Sequence, residues 1–237
     1  MIYVTGDTHG DIDFLKLKLF CDRNPNLTHD DYLIIAGDFG GLWSESLIEE
    51  KLVPYTQLPF TVLFVDGNHE NFDMLERYPV YKLFGGNVRI ISDNIIHLMR
   101  GQVYEIEGKT IFTLGGAVSV DKGRRKEGIS WWPQEEISDA DFRIAIRNLE
   151  KNANIVDYII THACDERCFY YPVMRTGTFK TPSHENALLS YFEDNVKYKR
   201  WYFGHYHIDA DINHKKTALY QAVVELGKGV EDSKVPL

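Results

Sequence analysis

Cysteine is scarce in this chain: three residues, Cys21, Cys164 and Cys168, in 237. An odd, low count supplies no disulfide framework and fits a reducing compartment. Cys164 and Cys168 follow His162 closely and invite a zinc site, but no second pair of thiols completes one. Long apolar runs are missing too. None approaches the roughly 20 residues a bilayer-spanning helix needs, and the first residues lack the basic and apolar regions of a signal peptide. A cytoplasmic protein without a membrane anchor is expected. Positive charge is also in deficit, with 26 Lys and Arg against 35 Asp and Glu, a formal charge of -9. This balance argues against strong binding to duplex DNA or to an anionic membrane, and leaves room for a local basic pocket. No internal repeat, low-complexity tract or linker divides the chain, so residues 1–237 are expected to form one domain with a core supported by 44% hydrophobic residues.

What the chain does have is a set of apolar runs that break into polar turns. Ile2-Tyr3-Val4 leads into Thr5-Gly6-Asp7-Thr8-His9-Gly10-Asp11. Leu33-Ile34-Ile35-Ala36 leads into Gly37-Asp38. Val62-Leu63-Phe64-Val65 leads into Asp66-Gly67-Asn68-His69-Glu70, Ile159-Ile160-Thr161 into His162, and Trp201-Tyr202-Phe203 into Gly204-His205-Tyr206-His207. Near-continuous apolar runs are the mark of strands covered on both faces. Between the early runs, Ile12 to Phe20 reads as a helix with one apolar face, and Ser44 to Tyr55 as a helix with Ser44 at its N-cap. Strands alternating with helices predict a doubly wound α/β layout whose site lies at the carboxyl ends of the strands.

The middle of the chain reads differently. Val88 to Ile91, Ile95 to Met99, Gln102 to Ile106 and Thr110 to Leu114 are short strand-like runs, with Glu107-Gly108-Lys109 as a hairpin turn, and they suit a second, antiparallel sheet. Gly115 to Gly128 is a glycine-bearing loop carrying Lys122, Arg124, Arg125 and Lys126, followed by Trp131-Trp132. It predicts an anion-contacting role for this loop in an otherwise acidic protein. Further on, helices are expected over Asp139–Asn152 and from about Ser183 to Asn195, a strand over Val156–Thr161, a long loop over Asp165–Pro182, a last hairpin of Asp209–Asn213 with Thr217–Val224, and a frayed tail.

The polar strand exits together hold Asp7, His9, Asp38, Asn68, His69, His162, His205 and His207. Mixed imidazole and carboxylate ligands suit a borderline divalent cation such as Mn, Fe or Zn. So many ligands exceed what one ion with open positions accepts, and two ions fit better. At a spacing of about 3.5 to 4 Å, two cations sharing a carboxylate hold a hydroxide between them and clamp an oxyanion across both. Asp7 and Asp38 would leave the pair a positive surplus, and the neutral amide of Asn68 would fill a position without reducing it.

In this order, Gly6-Asp7-Thr8-His9, Gly37-Asp38, Gly67-Asn68-His69-Glu70, His162 and Gly204-His205-Tyr206-His207, the sequence resembles the calcineurin-like metallophosphoesterase superfamily. The resemblance spans nearly the whole chain. It implies a mixed parallel and antiparallel sandwich of two packed β-sheets flanked by helices, and two divalent transition-metal ions, with manganese favoured. Asp7, His9, Asp38 and His207 would bind the first ion, and Asp38, Asn68, His162 and His205 the second, with Asp38 bridging. His69 would serve the leaving group without binding metal. The implied activity is phosphoester hydrolysis by a metal-bridging hydroxide, with a phosphomonoesterase favoured over a phosphodiesterase acting on nucleotides or single-stranded nucleic acid. Phosphorylated small molecules, nucleotides and phosphoproteins are the implied substrates. A non-catalytic, metal-stabilised binding module is the competing class.

One departure bears on the substrate. Many members continue Gly-Asp with two residues and then a second Asp, and the Ser/Thr protein phosphatases follow that with Arg-Gly; here the stretch is Gly37-Asp38-Phe39-Gly40-Gly41, so Gly41 stands where the second Asp would be. The carboxylate partner of His69 must then come from elsewhere, with Asp66 and Glu70 as candidates. The cation that grips phosphate must come from elsewhere too, with Arg124 and Arg125 as the leading candidates and Lys122 and Lys126 behind them.

Overall fold

The computed structural model describes residues 1–175, 179 and 181–233. In chain order the strands are β1 Ile2–Thr5, β2 Tyr32–Ala36, β3 Thr61–Val65, β4 Val80–Leu83, β5 Gly86–Ser92, β6 Ile95–Leu98, β7 Gln102–Ile106, β8 Lys109–Leu114, β9 Tyr158–Thr161, β10 Arg200–Phe203, β11 Ala210–Asn213, β12 Lys216–Ala218 and β13 Val223–Glu225. The α-helices are α1 Leu15–Arg23, α2 Ile48–Lys51, α3 Val53–Thr56, α4 Phe72–Leu75, α5 Asp139–Lys151 and α6 His184–Asn195.

Two sheets form. One has the order β13-β1-β2-β3-β6-β5-β4, the other β11-β12-β10-β9-β8-β7. Strands β1, β2, β3 and β6 run parallel, as do β8, β9, β10 and β12, and antiparallel strands extend both sheets outward. The period of two along each strand sorts its side chains. Val4, Ile34, Ala36, Leu63 and Val65 of the first sheet meet Ile111, Tyr158, Ile160 and Tyr202 of the second in the layer between them. The alternate residues face outward. Leu33, Ile35, Val62 and Phe64 pack with Leu17 and Tyr55, and Phe112, Ile159, Trp201 and Phe203 pack with Ala145, Leu149, Leu189 and Phe192. Strands covered on both faces are what their unbroken apolar sequence implied.

Several expectations from sequence are corrected. The run from Val88 to Leu114 does not form one antiparallel sheet: β5 and β6 join the first sheet and β7 and β8 the second, because β6 pairs parallel with the apolar edge of β3. Strand β4 escaped the sequence reading because it is an edge strand with Val80 and Tyr81 half exposed, without apolar alternation. The helix expected over Ser44–Tyr55 is divided into a 3-10 turn, α2 and α3, and Pro54, which lacks an N–H to continue the hydrogen-bond ladder, lies at the start of α3. The first helix starts at Leu15, not Ile12, and leaves Ile12, Leu15 and Leu19 exposed while Leu17 is buried. The terminal hairpin stops at Ala218, and the chain then crosses to the first sheet as β13. The segment from Asp165 contains two 3-10 turns, Glu166–Tyr170 and Pro172–Arg175. Positions 176–178 and 180 of the expected loop, and the frayed tail expected at 234–237, lie outside the described residues. Among the described residues no helix is long and apolar enough to cross a membrane.

Candidate metal centre

The carboxyl ends of β1, β2 and β3 in one sheet and of β9 and β10 in the other lie along one rim of the sandwich, and their turns are tied together. The Asp38 carbonyl accepts the N–H groups of Thr8 (3.0 Å) and His9 (2.8 Å), which locks the β1 turn to the β2 turn. The His162 carbonyl accepts the Gly204 N–H at 3.0 Å and does the same for β9 and β10. Two contacts bridge the sheets: His162 Nδ1 donates to the Ala36 carbonyl (2.9 Å), and the His205 N–H donates to Asp7 Oδ1 (2.9 Å).

The turns are tight enough to force unusual backbone. Of the eight described non-glycine residues with positive φ, four are His9 (46°), Asp38 (51°), His205 (67°) and His207 (52°). Such conformations cost of order 1–3 kcal/mol each and concentrate where function fixes the geometry. Glycine is required beside them. Gly37 has φ of 93°, where a Cβ would collide with the His162 ring, and a Cβ at Gly67 would collide with the Asp38 carboxylate.

The side chains converge on Asp7 and Asp38, both buried. His207 Nε2 lies 3.0 Å from Asp7 Oδ2, His9 Nε2 3.3 Å from Asp38 Oδ2, and His162 Nε2 3.2 Å from Asp38 Oδ1 and 3.1 Å from Asn68 Oδ1. Three overlapping groups could hold an ion, each with its ligand atoms within 4.8 Å of one another: Asp7, His9 and His207; Asp7, Asp38 and His162; and His9, Asp38 and His69. His205 belongs to none of these groups, and its ring lies 4.9 Å, centroid to centroid, from that of His162.

Two further observations fit a cation. Asp7 Oδ2 is buried and faces His207 Nε2 at 3.0 Å without a well-aligned hydrogen bond, an arrangement in which two ligand atoms point at each other as they would around a cation. Burial alone would raise the Asp38 carboxyl, yet the imidazoles of His162, His69 and His9 hold it well below the usual carboxylate range. Burial likewise opposes charge on His162 and His9, but the facing carboxylates, Asp38 foremost, push His162 up to about 10 and His9 to about 9. Protons on these two rings compensate the carboxylates as divalent ions would. His205 is different, because burial and then His162 press it down to about 3, which leaves a neutral imidazole with a free lone pair.

Orientation comes from outside the group. The Ala36 carbonyl holds His162 Nδ1 and Asp13 Oδ2 holds His9 Nδ1 (2.8 Å), so each Nε2 faces inward. Tyr220 stacks on His207 at 4.5 Å and donates its hydroxyl to Asp13 Oδ1 at 2.9 Å. Asp13 was missed in the sequence, although its place four residues after His9 was a usable signal; Tyr220 offered none.

Neither carboxylate expected beside His69 is there. Asp66 pairs with His97 Nε2 (3.0 Å) and Arg100 (2.5 Å). Glu70 accepts the N–H groups of Phe39 (2.7 Å) and Gly40 (3.2 Å) and so braces the Asp38 turn. The partner of His69 is Arg125, whose Nη2 lies 2.9 Å from His69 Nε2. Burial first and then the Arg125 charge among its neighbours lower His69, while Asp38 opposes them. Of the basic loop, then, only Arg125 reaches the centre. Arg124 and Lys126 are exposed, and Lys122 pairs with Glu136 at 2.7 Å.

The family model for calcineurin-like phosphoesterases matches residues 1–209, and the chain belongs to that family. It is a metal-dependent phosphoester hydrolase, with acidic and histidine groups placed to bind divalent metal. No curated protein matches it. Similar solved structures include a protein of unknown function from Aquifex aeolicus (18% identity, 84% of this chain and 87% of that one, TM-score 0.37). Others are a phosphopantetheinyl hydrolase from Mycobacterium tuberculosis (16%, 92% and 89%, TM-score 0.34) and a protein serine/threonine phosphatase from Saccharomyces cerevisiae (13%, 92% and 66%, TM-score 0.38).

Proposed function

We propose that the chain, as a single domain over residues 1–237, hydrolyses phosphomonoesters at a dinuclear centre bridged by Asp38. Asp7, His9, Asp38 and His207 would hold one ion, and Asp38, Asn68, His162 and His205 the other. The observation that carries this reading is the sharing of two buried carboxylates among three overlapping groups: Asp7 belongs both to the group with His9 and His207 and to the group with Asp38 and His162, and Asp38 belongs to that second group and to the one with His9 and His69. Bound there, two divalent cations, manganese in our reading, would supply Lewis acidity and a water of lowered pKa.

The protein's own groups do the rest. Asp13 and the Ala36 carbonyl fix the imidazoles. Arg125 rests on His69 in the free protein and turns its guanidinium to the phosphate when substrate enters, offering the extra cation that a monoester dianion favours. His69, freed from that contact, directs an N–H at the leaving oxygen and stabilises the charge developing there. The substrate class is a phosphorylated small molecule, nucleotide or phosphoprotein, and the three free thiols support a cytoplasmic setting.

Hydrolysis of p-nitrophenyl phosphate and bis-p-nitrophenyl phosphate by the Mn-loaded protein tests the assignment. A higher kcat/KM on the monoester that falls when Arg125 is replaced by Ala is expected. Faster turnover of the diester, unaffected by Arg125→Ala, would overturn the monoesterase assignment.

A further inference from the structure

Beneath the basic loop lies a carboxyl group that touches none of the proposed metal ligands. Glu135 is fully buried. Its Oε1 accepts the Trp132 N–H at 3.1 Å, and its Oε2 accepts a short hydrogen bond from the Ser119 hydroxyl. Ser119 Oγ in turn accepts Asn68 Nδ2 at 3.1 Å. On the other side, Glu135 Oε1 lies 3.8 Å from Arg125 Nη1, while Asp121 holds Arg125 Nε at 2.7 Å. The turn that carries Glu135 is itself clamped. Arg100, paired with Asp66, donates to the carbonyls of Gln134 (2.6 Å), Glu135 (3.4 Å) and Glu136 (2.9 Å), and the Ala117 N–H donates to the Glu135 carbonyl at 2.9 Å.

We propose that Glu135 is a positioning residue that sets the polarity of the Asn68 amide through Ser119 and the reach of Arg125 toward His69. One buried carboxylate thereby ties the second metal position to the phosphate-gripping cation. The inference rests on the dinuclear reading above.

Proton counting decides how the amide points. A side-chain amide presents an oxygen on one side and an NH2 on the other, and only its partners decide which way it points. A metal accepts the oxygen and rejects the NH2. A serine hydroxyl has one proton; because Glu135 takes it, Ser119 is left as an acceptor and demands the NH2 of Asn68. Oδ1 is then turned toward His162, where it is observed. Without the carboxylate, Ser119 is free to donate to Oδ1, and the flipped amide would present its NH2 to the metal. Arg125 follows from charge: Asp121 and Glu135 flank its guanidinium and set the resting position from which Nη2 projects to His69 and from which it turns to phosphate. No sequence signal marks Glu135, which lies far along the chain from Asn68.

The test uses Ser119→Ala and Glu135→Gln in the full chain, with Mn2+ binding by calorimetry and KM and kcat on p-nitrophenyl phosphate. Glutamine keeps the volume but has one carbonyl; with that held by the Trp132 N–H, its NH2 faces Ser119 and reverses the relay. Ser119→Ala should weaken one of two Mn2+ sites about 10-fold, the usual scale for outer partners of a metal ligand, and leave KM for the Mn-saturated enzyme unchanged. Glu135→Gln should weaken the same site and also raise KM several-fold at saturating Mn2+. Wild-type Mn2+ affinities and KM in both variants, whatever their melting temperatures, would overturn the proposal. A wild-type protein that binds fewer than two Mn2+ would overturn the dinuclear reading instead.

Discussion

At the scale of single residues, the proposed metal ligands are distinct from the groups proposed to act on substrate. His69 donates its backbone N–H to Asp38 Oδ1 at 2.7 Å, but the hydrogen-bond partner of its ring is Arg125. Replacing His69 by Ala should lower kcat on an aryl phosphate with a good leaving group by about 10²–10³-fold while metal content, measured by elemental analysis, is retained. Loss of an ion together with activity would instead assign His69 to the metal, through its group with His9 and Asp38. The sequence made the candidate ligands legible because each follows an apolar run and a turn. It did not distinguish Arg125 from Arg124, since adjacent residues in an irregular loop diverge by backbone geometry alone. Nor did it reveal that Asp66 and Glu70 are occupied elsewhere, by Arg100 and by the amides of Phe39 and Gly40.

At the scale of elements, the strand exits and their glycines fix the geometry. Gly67→Ala places a methyl group where the Asp38 carboxylate lies, so it should reduce Mn2+ affinity by 10-fold or more in calorimetry while the circular dichroism of the sheets persists. Helix α6 carries a separate test. Glu185, in its first turn, accepts the Ile137 N–H at 2.8 Å and is buried with Oε2 unpaired. Burial, only partly offset by that bond and by Arg100, pushes its carboxyl up to about 7. The folded chain therefore keeps this proton up to about pH 7, whereas the unfolded chain loses it near the ordinary carboxylate value. Stability falls as pH rises between those values and stays lower above them. Glu185→Gln should then gain up to about 3 kcal/mol relative to wild type between pH 5 and pH 8 in denaturant titrations. An offset between the two proteins that does not change with pH would contradict this. The elements themselves were legible where burial is two-sided, as in β2, β3, β9 and β10. They were not where an edge strand such as β4 is exposed, or where Pro54 interrupts an otherwise helical run.

At the scale of the whole molecule, the fold matters because it brings two sheets together along one rim. Parallel strands β1, β2 and β3 supply Asp7, His9, Asp38, Asn68 and His69, and parallel strands β9 and β10 supply His162, His205 and His207. Local patterns announced the strands but could not assign β5 and β6 to the first sheet, because pairing partners are chosen by long-range burial. Crossing contacts such as His205 N–H to Asp7 Oδ1 fix the halves in register, and the site exists only when both are present. The most direct measurement is the anomalous scattering of crystals grown with Mn2+, recorded above and below the manganese edge. The account predicts two peaks about 3.5–4 Å apart, one among Asp7, His9 and His207 and the other among Asn68, His162 and His205, with Asp38 between them. A single peak held by His9, Asp38 and His69, or no peak at this rim, would contradict it.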